Sequence, residues 1–157
     1  MELSADIQEF VLSHGLTLSF VLSCMQLLSW KLSPGIWTGE ITDGKNNAFS
    51  REYIFFLILF FSVQTAILIW FDKELISLNL LVNQTTLFVL NMLMFAIYVL
   101  VDLIVIDFLL YIKVKPGFMK IKGVESNYSL FHHFKYAVRL FIFGGVFCFI
   151  ASILATR

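Results

Sequence analysis

Four long apolar runs, set apart by short polar and charged stretches, dominate the chain. They cover residues 10–30, 53–71, 87–112 and 136–156. A helix rises about 1.5 Å per residue, and about 20 residues cross the hydrocarbon of a bilayer. Each run is long enough, and the third has length to spare for a tilt. Backbone N–H and C=O groups find no partner in lipid, so the runs must be helices. The pattern predicts an all-α integral membrane protein of one domain, residues 1–157, with four transmembrane helices. A basic cytoplasmic loop joins spans three and four.

Composition strengthens this reading. Of 157 residues, 59% are hydrophobic, 14% are charged and 18 are Phe. Soluble domains run near 45–50% apolar and about 25% charged. A soluble chain of this size lacks the interior to hide so much apolar surface. The start carries Glu2, Asp6 and Glu9 but no Lys or Arg. A secretory signal begins with a basic segment, so the first run reads as a retained span. Cys24 and Cys148 both lie in apolar runs, with no Cys-x-x-Cys and no Cys/His cluster. Neither a disulfide framework nor a metal site is supported, and no cofactor is implied.

Net charge is zero, but it is polarised along the chain. Of the 11 Lys and Arg, nine fall in two segments: Lys31, Lys45 and Arg51, then Lys113, Lys115, Lys120, Lys122, Lys135 and Arg139. Only Lys73 and Arg157 fall on the other side. Excess Lys and Arg mark the cytoplasmic side. Residues 31–52 and 113–135 are therefore expected in the cytoplasm, and both termini outside it, in a cell inner (plasma) membrane.

The loops carry turn signals. Ser33-Pro34-Gly35 and Asp43-Gly44 punctuate the first cytoplasmic segment, and residues 36–42 have a pattern that could pair back as a hairpin. Pro116-Gly117 is expected to stop span three. Residues 72–86 are semi-apolar and are expected to lie along the membrane surface. Asn83-Gln84-Thr85 and Asn127-Tyr128-Ser129 match glycosylation sequons, which also arise by chance. Trp30, Trp37 and Trp70 sit near expected membrane boundaries, as interfacial anchors do.

Span three contains the costliest residues. At about 100° per residue, Asn91, Tyr98 and Asp102 fall within about 40° of one another and form an intramembrane polar stripe. A carboxylate near mid-membrane costs at least about 2.5 kcal/mol, so Asp102 must face protein or water, or hold its proton. Either the stripe conducts or titrates, or Asp102 joins a structural hydrogen-bond cluster with Tyr98, Gln64 or Gln26. The same angular step turns Asp107 to the far side, where Arg139 or Lys135 is its expected ion-pair partner.

Small residues recur at four-residue spacing: Gly15, Ser19 and Ser23 in span one, and Gly144, Cys148 and Ser152 in span four. Such ridges let helices approach closely in lipid. One four-helix chain has little interior for two ridges and a polar stripe, which points to a homo-oligomer.

Lys115, Lys120, Lys122, His132, His133 and Lys135 form a basic surface. It would meet lipid headgroups or dock an acidic cytoplasmic protein. His132 and His133 are adjacent, so on a helix they diverge and make a poor metal pair. His14 stands alone near the outer end of span one, where packing accounts for it. Phe118, Tyr128 and Phe131 interleave with the basic loop, but the loop is too short to favour nucleic acid. No nucleophile elbow, phosphate loop or His-Glu-x-x-His is present, so no enzymatic activity is expected.

The size, the four spans and the basic segment 113–139 give a layout that resembles the four-span membrane subunit of the Kiwa bacterial anti-phage system. Colicin-type immunity proteins share that layout. The first resemblance implies an oligomer that senses membrane disturbance and binds a soluble effector through its cytoplasmic loops, a role in antiviral defence. Three function classes follow: a membrane subunit of a multi-component bacterial system, an ion or proton channel built on the stripe, and an immunity protein against a pore-forming toxin.

Overall fold

The computed structural model describes residues 5–32, 51–78, 83–117 and 130–157. They form four membrane-length helices: α1 (Ala5–Leu32), α2 (Arg51–Ser77), α3 (Gln84–Val101) and α4 (Leu130–Ala155). α3 continues without a break as a π-helix, Asp102–Val114. Each of the four is long and apolar enough to cross a membrane. The expected hairpin at residues 36–42, Trp37, Lys120 and Lys122 lie outside the described residues.

Local chemistry sets the ends. Asn83 caps α3: its Oδ1 accepts from the Thr86 amide at 2.8 Å and from the Thr86 hydroxyl at 3.0 Å. Such a cap satisfies amides that would otherwise lack partners. At the other end Lys115 takes a left-handed conformation (φ 51°), and its N–H closes on Leu110 O at 2.7 Å. Pro116 cannot continue the winding, so the stop falls where the Pro-Gly pair was expected.

The helices alternate in direction, and α3 packs between α1 and α4. α1 and α4 each lie along α3, α2 lies along α4, and α1 meets α2 more thinly. Going round the bundle the order is α1, α3, α4, α2, so α2 and α3 face each other across a diagonal although only a short segment joins them. The buried face of α3 repeats at three- and four-residue steps: Leu87, Leu90, Asn91, Met94, Phe95, Tyr98. That is the spacing of one helix face. The outside carries Phe20, Phe55, Trp70, Ile142 and Phe143, all well exposed, the surface that lipid would cover. Trp30 differs from the expected interfacial anchor: it is buried against Ile106 and its ring lies 5.9 Å from Tyr111.

One span boundary moves. The charged pair Asp72-Lys73 reads as the end of span two, yet α2 runs on to Ser77. Asp72 turns inward and is buried, while Lys73 faces out. Much of the segment expected to lie along the membrane surface is therefore helical, in α2 before it and α3 after it. Of the two sequons, Asn83-Gln84-Thr85 supplies the α3 cap.

Candidate functional site

Polar side chains gather inside the bundle at two levels. The first lies toward the end that carries both termini. There Asn91 Nδ2 donates to Asp72 Oδ2 at 2.8 Å and approaches the Cys148 carbonyl at 3.4 Å. Cys148 Sγ lies 3.7 Å from Asn91 O. Gln64 Nε2 donates to Gly144 O at 3.3 Å and lies 3.6 Å from Cys148 Sγ. Asn91, Gln64 and Cys148 are fully enclosed, and Asp72 is 1% exposed. Above this level His14 stacks on Phe10, meets the edge of Phe71 and places Nε2 3.5 Å from Glu74. These contacts agree with a packing role for His14.

The second level lies toward the other end, at the junction of α3 and its π-helical extension. The Tyr98 hydroxyl donates to Gln26 Oε1 at 3.2 Å, and Gln26 in turn hydrogen-bonds Asp102. Asp102 Oδ1 is buried and has no hydrogen-bond partner among the described residues. Asp107 stands close enough to Asp102 for the two carboxylates to interact, and its Oδ2 meets His133 Nδ1 at 3.2 Å. The His133 ring also packs 5.2 Å from Tyr111. Helices α1, α3 and α4 thus each contribute to one cluster: Gln26, Tyr98 with Asp102 and Asp107, and His133.

Several expectations change against this geometry. The stripe Asn91–Tyr98–Asp102 is not a single group. Asn91 bonds α2 and α4, whereas Tyr98 and Asp102 bond α1. Met94 and Phe95, both enclosed, lie between them along α3, and the Phe60 and Phe95 rings sit 5.7 and 5.5 Å from that of Tyr98. Gln64, one expected partner of Asp102, belongs to the other level.

Asp107 does not pair with Arg139. Arg139 is exposed and lies over the Tyr136 ring at 5.6 Å. The cause is the winding of α3 beyond Val101. Five residues of α-helix carry a side chain to the opposite face. In a π-helix, bonded i to i+5, five residues come back round toward the same side. Asp107 accordingly faces Asp102 and His133. His133 is correspondingly not part of an open basic surface; its side chain is 13% exposed. Lys115 and Lys135 are exposed, as that surface requires. The His132 side chain lies outside the described residues.

Both small-residue ridges are used within the chain. At Gly15 a Cβ would stand 2.6 Å from Ile97 Cδ1 and 3.3 Å from Met94 Cα, and at Gly144 it would stand 2.0 Å from the Phe95 ring. Ser19, Cys148 and Ser152 are buried, and Ser23 is half-buried. α3 is thus gripped from both sides, by the α1 ridge and by the α4 ridge. The inference from surplus ridges to a homo-oligomer loses its premise.

Asp72 was missed as a site residue because a charge after an apolar run reads as a boundary. The signal that would have found it is the face it shares with Gln64, Leu68 and Phe71, all enclosed. No group of three or more His, Cys, Asp or Glu side chains with metal-binding geometry occurs among the described residues.

The fold and its two buried polar levels define a four-helix, multi-pass membrane protein. No known family model, curated protein or solved structure matches the chain.

Proposed function

We propose that the chain is a non-enzymatic membrane subunit that passes a change of charge or packing inside the bilayer to a cytoplasmic protein. One observation carries this reading. Asp107, in the middle of the π-helix, holds His133, near the start of α4, at 3.2 Å. Asp107 precedes the basic segment and His133 lies near its far end, so the contact ties that end of the surface proposed to dock a partner back to the middle of the π-helix. Asp102 couples this contact to Gln26 on α1 and to the interior of the bundle. A disturbance that shifts α1 or neutralises Asp107 would then alter where that end of the basic segment is held.

The orientation belongs to the same reading. The exposed cations Lys31, Arg51, Lys113, Lys115, Lys135 and Arg139 share one end of the bundle, and excess Lys and Arg favour the cytoplasm. We place that end inside, the termini outside, and the protein in a bacterial inner membrane. The Kiwa membrane subunit, which the layout resembles, implies the same division of labour, with a soluble effector as partner.

Co-purification of the full chain from its host tests the proposal. Reversing Lys115, Lys120 and Lys122 to Glu should remove the captured partner without changing membrane insertion. His133→Gln should weaken capture while leaving those lysines intact. Equal recovery of the same proteins from all three forms would defeat it. Conduction along span three takes second place, because enclosed Met94 and Phe95 separate Asn91 from Tyr98.

A further inference from the structure

α4 turns two cations out of the bundle. Gly144 marks the side of α4 that meets Phe95 on α3. At about 100° per residue, Lys135 falls on the opposite side of the helix, and Arg139 falls about 140° round from Gly144. Both are exposed. The membrane-length apolar stretch of α4 begins at His133, so the Arg139 backbone stands about 9 Å into it. An arginine that faces lipid at that depth is retained when something offsets its charge.

The protein supplies no such anion. α4 contains no Asp or Glu, and neither Lys135 nor Arg139 has an ion pair among the described residues. Asp107, the expected partner, is held by His133 at 3.2 Å. Side chains four residues apart on a helix are neighbours, and like charges there repel. Even so, the Arg139 guanidinium is drawn back over the Tyr136 ring at 5.6 Å, toward the start of the helix and the level of Lys135. Farther into the membrane the same face continues with Ile142 and Val146, 65% and 55% exposed, and then Phe149. Two cations at the membrane edge and an apolar strip beyond them match the two parts of a phospholipid. The guanidinium fork fits a phosphate, and Lys135 adds a second charge. A zwitterionic headgroup would bring its own ammonium against both cations, whereas a headgroup with net negative charge would not.

We propose that the outer face of α4 binds an anionic phospholipid, with its phosphate between Lys135 and Arg139 and an acyl chain along Ile142 and Val146. The lipid belongs to whichever leaflet that end of the bundle occupies. The site requires only that the helices span a membrane. It assigns Lys135 to lipid and leaves Lys115, Lys120 and Lys122 to the cytoplasmic partner.

Native mass spectrometry of the purified full chain in detergent tests the site, with phosphatidylglycerol and phosphatidylcholine of the same acyl chains offered in equal amounts. Each basic residue near the surface is worth about fivefold in binding to anionic lipid, so the wild type should retain phosphatidylglycerol on the order of tenfold better. Lys135→Gln with Arg139→Gln should erase that preference. Arg139→Lys keeps the charge but loses the fork, and it should keep only part of the preference. Lys31→Gln with Lys113→Gln removes two exposed cations from the same end and should leave the preference intact. Glycerol phosphate, which has no acyl chains, should not displace the lipid even in large excess. Equal retention of the two lipids by the wild type would overturn the proposal. So would a preference that survives the Lys135 and Arg139 double variant, or one lost equally in the Lys31 and Lys113 variant, which would mark a general effect of charge. Displacement by glycerol phosphate would give the face to a free anion instead. Lipid-free dimers that vanish in the Lys135 and Arg139 double variant would give it to a second copy of the chain.

Discussion

Gln26 links the Tyr98 hydroxyl to the Asp102 carboxylate, so one neutral amide satisfies two buried groups on another helix. Removing it leaves both without that partner. Gln26→Leu should cost about 2–4 kcal/mol, the sum of two orphaned buried groups, whereas Tyr98→Phe should cost about 1 kcal/mol. Unfolding in graded SDS against a mild detergent would measure both. Asp102→Asn keeps the size and most of the hydrogen bonding, and it should unfold within about 1 kcal/mol of the wild type. Asp102→Leu should lose distinctly more. An Asp102→Asn protein that unfolds normally but no longer captures its partner would show that the charge itself is used. The spacing of Asn91, Tyr98 and Asp102 placed all three on the inner face of span three. For Asp102 it offered Gln26 and Gln64, of which the structure uses Gln26, and it named no partner for Asn91. The partners depend on how α1, α2 and α4 are rotated about their own axes, and no periodicity within span three encodes that. Asp72 was hidden for another reason: hydropathy cannot distinguish a charge that ends a span from one turned into the protein.

The glycines of α4 show how much a helix depends on its neighbour. Gly144 and Gly145 are adjacent, but only the first faces the Phe95 ring; at Gly145 an added Cβ would meet the flexible Met92 thioether at 3.3 Å. Gly144→Ala should destabilise the bundle by about 1–3 kcal/mol through overpacking, and Gly145→Ala should stay within about 0.5 kcal/mol. The same SDS titration separates them, and equal effects would mean that α4 is not seated on Phe95. The ridge containing Gly144 was legible from its four-residue spacing, as were the existence and approximate limits of all four helices. The π-winding was not. A uniform angular step sends Asp107 away from Asp102, and only the altered winding of the Asp102–Val114 segment returns it. That segment is rich in β-branched residues, Ile104, Val105, Ile106, Ile112 and Val114, which sequence rules read simply as more apolar span.

With four antiparallel helices, both termini share one end of the bundle, the end marked by Asp72, Asn91 and the His14–Glu74 contact. Tags at residue 1 and after Arg157 should therefore be reached from the same side of the membrane, and in the proposed orientation from outside intact cells. Labelling of either tag only after permeabilisation would reverse the orientation. Labelling of one tag alone would contradict the four-helix arrangement. The diagonal placement of α2 and α3 has a consequence for the order of biosynthesis. Helices delivered in sequence would assemble at once if each packed on its predecessor, but α2 lies chiefly along α4, the last to be made. When α3 enters the membrane, α1 is already there to receive it, while α2 still lacks its main neighbour. Until translation supplies α4, Asn91 has Asp72 but not the Cys148 carbonyl and Gln64 lacks the Gly144 carbonyl, so the nascent chain must hold in the lipid an amide, that of Gln64, whose acceptor arrives only with the last segment.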